Sequence, residues 1–192
     1  MTKTNATAIL GFLIFLGASI GVGCNSSSSD SGMMMIASSA GATLMPYPDP
    51  YAPAMAGTPN PITGAATASA TAWNVGGKLK LELKVTGMPA MRTFGAHLHR
   101  LACTDTKAGG HYQQSPWPTN TDASSPTDPT YANVMNEVWL DFTTDASGNA
   151  SFTRTVDWLP RAGEAKGIII HHMATGTGGA AGARLACLPI AF

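Results

Sequence analysis

The chain has 192 residues, of which only 11% are charged, with 11 Lys and Arg balanced by 11 Asp and Glu. A neutral chain with no basic block offers no electrostatic basis for binding nucleic acid or an anionic membrane surface. Long amphipathic helical patterns are missing, so the chain reads as strands and turns rather than as a helical bundle.

In chain order, the first expected element is an export segment over residues 1–24. Lys3 precedes an apolar run over residues 8–22, too short to span a bilayer comfortably. The run ends in Gly21-Val22-Gly23-Cys24, which resembles the lipobox of bacterial lipoproteins. That resemblance implies that Cys24 is acylated and becomes the mature N-terminus, anchoring the chain to a membrane and facing the periplasm or cell exterior. Residues 25–60 are expected to be a flexible tether: a serine run, then Pro46, Pro48, Pro50, Pro53 and Pro59. Residues 42–45 within it are a candidate edge strand. Met33, Met34 and Met35 carry thioethers, which suit Cu(I), but are read as part of the linker.

The folded domain is expected over residues 61–192. Thr67, Ser69 and Thr71 alternate with small apolar residues up to Trp73, and Asn74 to Gly77 read as a turn. The clearest strand covers residues 78–86: Leu79, Leu81, Leu83 and Val85 share one face, and Lys78, Lys80, Glu82 and Lys84 the other. Further strands are expected at 94–101, 137–143, 150–156, 167–172 and 184–192, with a polar, Pro-rich loop over 112–135. Short strands with turn signals between them point to a sandwich or a closed barrel.

The chemistry lies in the five histidines, all within this domain. His97 and His99 stand two apart on a predicted strand, so their rings project from one face. Imidazole suits copper and zinc. By itself His-x-His is a weak signal, compatible with two solvated histidines. His171 and His172 are adjacent, so on a strand they point to opposite faces and only one reaches a shared site. Three cysteines are present. If Cys24 carries lipid, Cys103 and Cys187 remain as an even pair, and an oxidising compartment favours a disulfide between them.

Taken in order, the segments Gly95-Ala96-His97-Leu98-His99, Cys103-Thr104, Gly109-Gly110-His111-Tyr112, Ile169-Ile170-His171 and Gly182-Ala183-Arg184-Leu185-Ala186-Cys187 resemble the Cu/Zn superoxide dismutase family over about residues 65–192. The resemblance implies an all-β Greek-key β-barrel, of which seven to eight strands can be placed here. It implies copper ligation by His97, His99, His111 and His171, a substrate-guiding Arg184, and a Cys103–Cys187 disulfide. The family's zinc site needs further histidines, and none occurs between His111 and Glu137. The zinc site is therefore expected to be lost, leaving one copper per chain, as in the copper-only branch of the family. Glu137 or Asp141 is then expected to orient His111, since carboxylates commonly hold metal-bound histidines from behind. The implied activity is extracytoplasmic conversion of superoxide to oxygen and hydrogen peroxide, with Arg184 and His111 as the catalytic residues. The alternative is a non-catalytic copper-binding or storage protein of the envelope on the same scaffold.

Overall fold

The structure is a computed structural model, and it describes residues 32–46, 60–62, 64–105, 108–118 and 127–192. The expected export segment, Cys24 and residues 47–59 of the expected tether lie outside the described residues. The described part falls within one compact unit, Ser31–Phe192. It is all-β; apart from strands it contains one short 3-10 turn, Thr177–Gly179, among the described residues.

Among the described residues, nine strands form two antiparallel sheets. In chain order they are β1 (Met33–Thr43), β2 (Met45–Pro46), β3 (Thr67–Val75), β4 (Lys78–Thr86), β5 (Thr93–His99), β6 (Phe142–Thr143), β7 (Ala150–Val156), β8 (Gly167–His171) and β9 (Arg184–Pro189). One sheet has the order β1-β3-β4-β7, the other β2-β9-β8-β5-β6. The expected strand alternation holds in β4. Its Leu79, Leu81, Leu83 and Val85 are buried, while Lys78 and Lys84 are exposed. These side chains meet Phe94, Ala96 and Leu98 of β5 and Ile168 and Ile170 of β8 in a core shared by the two sheets. The all-β expectation therefore holds. The sheets are paired within themselves and not to each other, so the barrel is not closed by strand pairing.

Two expectations need correction. Residues 33–46 are not tether. β1 pairs antiparallel with β3 from Met33↔Val75 to Thr43↔Thr67, and β2 pairs with Cys187 and Ala186 of β9. Leu44 between them is fully buried and donates its N–H to the Ala66 carbonyl at 2.8 Å. The segment hid because Ala, Ser and Gly dominate it and its pairing is broken by two register shifts, at Met35/Ala37 and Ser39/Ala42. Such bulges are common on edge strands, and they scramble the period-2 signal. Met33, Met34 and Met35 are all exposed on this strand. The second correction concerns residues 137–143. Only Phe142 and Thr143 form a strand, while Glu137 and Trp139 make isolated bridges to Gln113 and His97.

The placement of the site follows from strand alternation. On β5, Phe94, Ala96 and Leu98 point into the core, so His97 and His99 point to the outer face of their sheet. On β8, Ile168 and Ile170 point inward, so Ile169 and His171 share that outer face. Described residues of two loops, 108–113 with 137–141 in the first and 172–183 in the second, cover this face, which is why the rings on it are buried. Cys103 and Cys187 pin the first of these loops to β9 with a disulfide spanning 84 residues, Cα–Cα 5.7 Å. On the chain-entropy model, closing such a loop stabilises the fold by about 4–5 kcal/mol.

Candidate metal centre

Two neighbouring strands and one loop bring the imidazoles together. His97 and His99 are two apart on β5. His171 on β8 pairs with Gly95, one step along the same face from His97. That position requires glycine: a Cβ on Gly95 would come within 2.6 Å of the Met173 carbonyl oxygen and 2.8 Å of the Ala181 methyl. His111 comes back from the covering loop and bridges to His99. The rings are in close contact, with centroids 3.9 Å apart for His97–His111, 4.8 Å for His97–His171 and 4.9 Å for His99–His111. One nitrogen from each of His97, His99, His111 and His171 lies within 4.8 Å of all the others.

Each ring spends its other nitrogen on the scaffold. His99 Nδ1–H donates to the Gly109 carbonyl at 3.0 Å, and His171 Nδ1–H to the Gly182 carbonyl at 3.2 Å. A carbonyl only accepts, so both rings keep a lone pair on Nε2. Those two Nε2 atoms are 3.4 Å apart. His97 Nε2 lies 2.7 Å from Thr175 Oγ1, while its buried Nδ1 has no hydrogen-bond partner among the described residues. His111 Nδ1–H donates to Glu137 Oε2 at 2.8 Å.

Burial favours the neutral form of His97, His99 and His171. It pushes His97 and His99 well below the usual histidine range, with the charges of His111, His171 and Arg184 acting in the same direction. Burial, then His111, pushes His171 down to about 3. A buried lone pair without a donor is costly. Several such lone pairs converging are best satisfied by one cation, and neutral imidazoles are ligands for copper and zinc. The donor set thus fits a metal ion held by four nitrogens.

Glu137 is fully buried and is the carboxylate behind His111. Its Oε2 also accepts from Trp139 Nε1 at 2.7 Å, and its Oε1 accepts from Gln113 Nε2 at 2.8 Å. Gly179, at φ +73, closes over this pair: a Cβ there would sit 3.3 Å from both Glu137 Oε2 and His111 Nδ1. Asp141, the other carboxylate expected to hold His111, binds elsewhere. It accepts from the Ala96 N–H and from Thr175. Four residues apart would share a face on a regular strand, but 137–141 is not one.

Arg184 opens β9 as the register partner of His171, so it lies on the histidine face. A register shift between Ile170 and His171 makes this possible, letting Leu185 stay in the core. His172 is half-buried outside the cluster, and its carbonyl accepts from Arg92 at 3.3 Å. The residues that the sequence did not reveal are Thr175, Gln113, Trp139 and Gly179. None stands in a pattern that marks it; they are identified only by what the loops bring beside the rings.

Among solved structures, the chain is similar to a Cu/Zn superoxide dismutase from Brucella abortus. Identity is 20%, the match covers 78% of this chain and 98% of that one, and the TM-score is 0.47. No protein-family model matches the chain, and no curated protein does.

Proposed function

We propose that the domain is a copper-dependent superoxide dismutase acting outside the cytoplasm, with one copper per chain and no zinc. The observation that carries this reading is the convergence of His97 Nδ1 with the lone pairs of His99 and His171, and with His111, in a buried all-nitrogen pocket beside Arg184. When bound, copper supplies reversible one-electron chemistry: one superoxide is oxidised to oxygen, and a second is reduced and takes up two protons to become hydrogen peroxide.

The residues of the chain supply the rest. His97, His99, His111 and His171 hold the ion, and the covering loops keep bulk water from the rings. Arg184 draws the anion to the pocket and offers a planar fork of donors that keeps its charge at any working pH. His111 would offer Nε2 to the ion, and with Nδ1 held by Glu137 that atom is the ring nitrogen left to take up a proton and pass it to the reduced oxygen species. Glu137 holds the Nδ1 proton throughout, so the ring does not turn. The Cys103–Cys187 disulfide supports an oxidising compartment. The apolar run ending at Cys24 supports export and attachment by an N-terminal lipid.

The test is to load metal-free protein with copper, zinc or both, count the ions by elemental analysis, and follow superoxide decay by pulse radiolysis. One copper, no zinc and accelerated decay are expected. A second, tightly held zinc would overturn the copper-only reading. Full copper loading without acceleration would leave a copper-binding protein.

A further inference from the structure

His97 differs from the other three rings. It presents Nδ1 rather than Nε2 to the pocket, and its outward nitrogen meets a hydroxyl, not a carbonyl or a carboxylate. A hydroxyl can donate or accept, so by itself it does not decide where the ring proton sits. The decision comes from one residue further out. Thr175 Oγ1 donates to Asp141 Oδ1 at 2.6 Å, and the Thr175 backbone N–H donates to Asp141 Oδ2 at 2.7 Å. The same carboxylate accepts from the Ala96 N–H at 3.3 Å.

The proton count then has one solution. A carboxylate only accepts, and a threonine hydroxyl has one proton. With that proton on Asp141, Oγ1 can only accept from His97. His97 must therefore carry its proton on Nε2, and Nδ1 is left as a lone pair. We propose that Thr175 is a positioning residue that, held by Asp141, fixes His97 in the Nε2-protonated tautomer and so presents Nδ1 to the metal. The relay also ties the two sides of the pocket together. Thr175 lies on the loop that follows His171, whereas Ala96 precedes His97 on β5. The proposal deepens the copper reading and rests on it only for the identity of the ion.

The first measurement needs no metal. Two-bond proton–nitrogen correlation spectra of the metal-free protein report which ring nitrogen of His97 is protonated. Wild type and Thr175→Ser are expected to show Nε2–H alone, and Thr175→Val, which keeps the shape but loses the hydroxyl, a mixture. The second measurement is Cu(II) affinity by chelator competition, with the copper hyperfine coupling read by electron paramagnetic resonance. Thr175→Val is expected to bind about 10–100-fold more weakly with an altered coupling, the usual range for losing a partner behind a ligand. Thr175→Ser is expected to restore both. A wild-type His97 protonated on Nδ1 would overturn the proposal. So would a Thr175→Val protein that keeps the tautomer, or one with unchanged affinity and coupling. If wild type shows the expected tautomer but does not bind copper, the copper reading fails while the relay stands.

Discussion

Glu137→Gln is the substitution that tests the reasoning about the pocket most directly. The carboxylate is fully buried and accepts three hydrogen bonds, from His111 Nδ1, Trp139 Nε1 and Gln113 Nε2. An amide of the same shape has one accepting oxygen and one donating nitrogen. If its oxygen faces His111 and Trp139, its NH2 confronts the NH2 of Gln113. Flipping Gln113 does not resolve this, because its Oε1 already accepts the Trp117 N–H at 3.2 Å. If the amide is reversed, the His111 and Trp139 donors lose their acceptor. At least one buried donor goes unpaired either way, which costs about 1–3 kcal/mol. Loss of the negative charge weakens the remaining bonds further. The metal-free Glu137→Gln protein should therefore unfold at lower urea, with a loss in this range and an unchanged m-value. Copper affinity should fall about 10–100-fold, because His111 is no longer held at Nδ1. The assays are urea unfolding followed by tryptophan fluorescence and chelator competition for copper. A variant with wild-type stability and wild-type affinity would refute the claim that Glu137 orients His111.

Three other outcomes follow from the same structure. Metal-free protein should lose stability in acid: His171 is held at about 3 when folded and returns to about 6.5 when unfolded, so the unfolded chain binds the extra proton between these values. Its contribution, on the order of 5 kcal/mol at its largest, is complete above about pH 6.5 and is lost as pH falls toward 3, with His97 and His99 adding in the same direction; urea midpoints that stay level from pH 7 to 4 would contradict this. Unreduced peptide mapping should recover Cys103 linked to Cys187, and replacing both with serine should cost about 4–5 kcal/mol of unfolding free energy. Arg184→Ala should slow superoxide decay while copper content stays full, and the wild-type rate should depend weakly on salt because the loop before Arg184 carries almost no charge; an unchanged rate at full copper would remove Arg184 as the substrate guide.

Local pattern was enough to reveal much of this protein. The period-2 alternation of residues 78–86 specified β4 because one face had to be buried, and His97 and His99 shared a face for the same geometric reason. The family resemblance carried by the order of the histidine, cysteine and arginine motifs implied the four rings, the disulfide and Arg184 from the sequence alone. The early strand at Met33–Thr43 was not legible, since small residues on a bulged edge strand carry no clear period and its pairing partner, β3, lies far along the chain. Nor was the surround of the rings. Glu137 and Asp141 looked equivalent, being two carboxylates four residues apart. Only the fold assigned one to His111 and the other, through Thr175, to His97. Which rings come together follows from short motifs, which the chain writes locally. The partners behind these rings are set by loops that meet across the outer face of a sheet, and contacts between distant segments leave no periodic trace in either one.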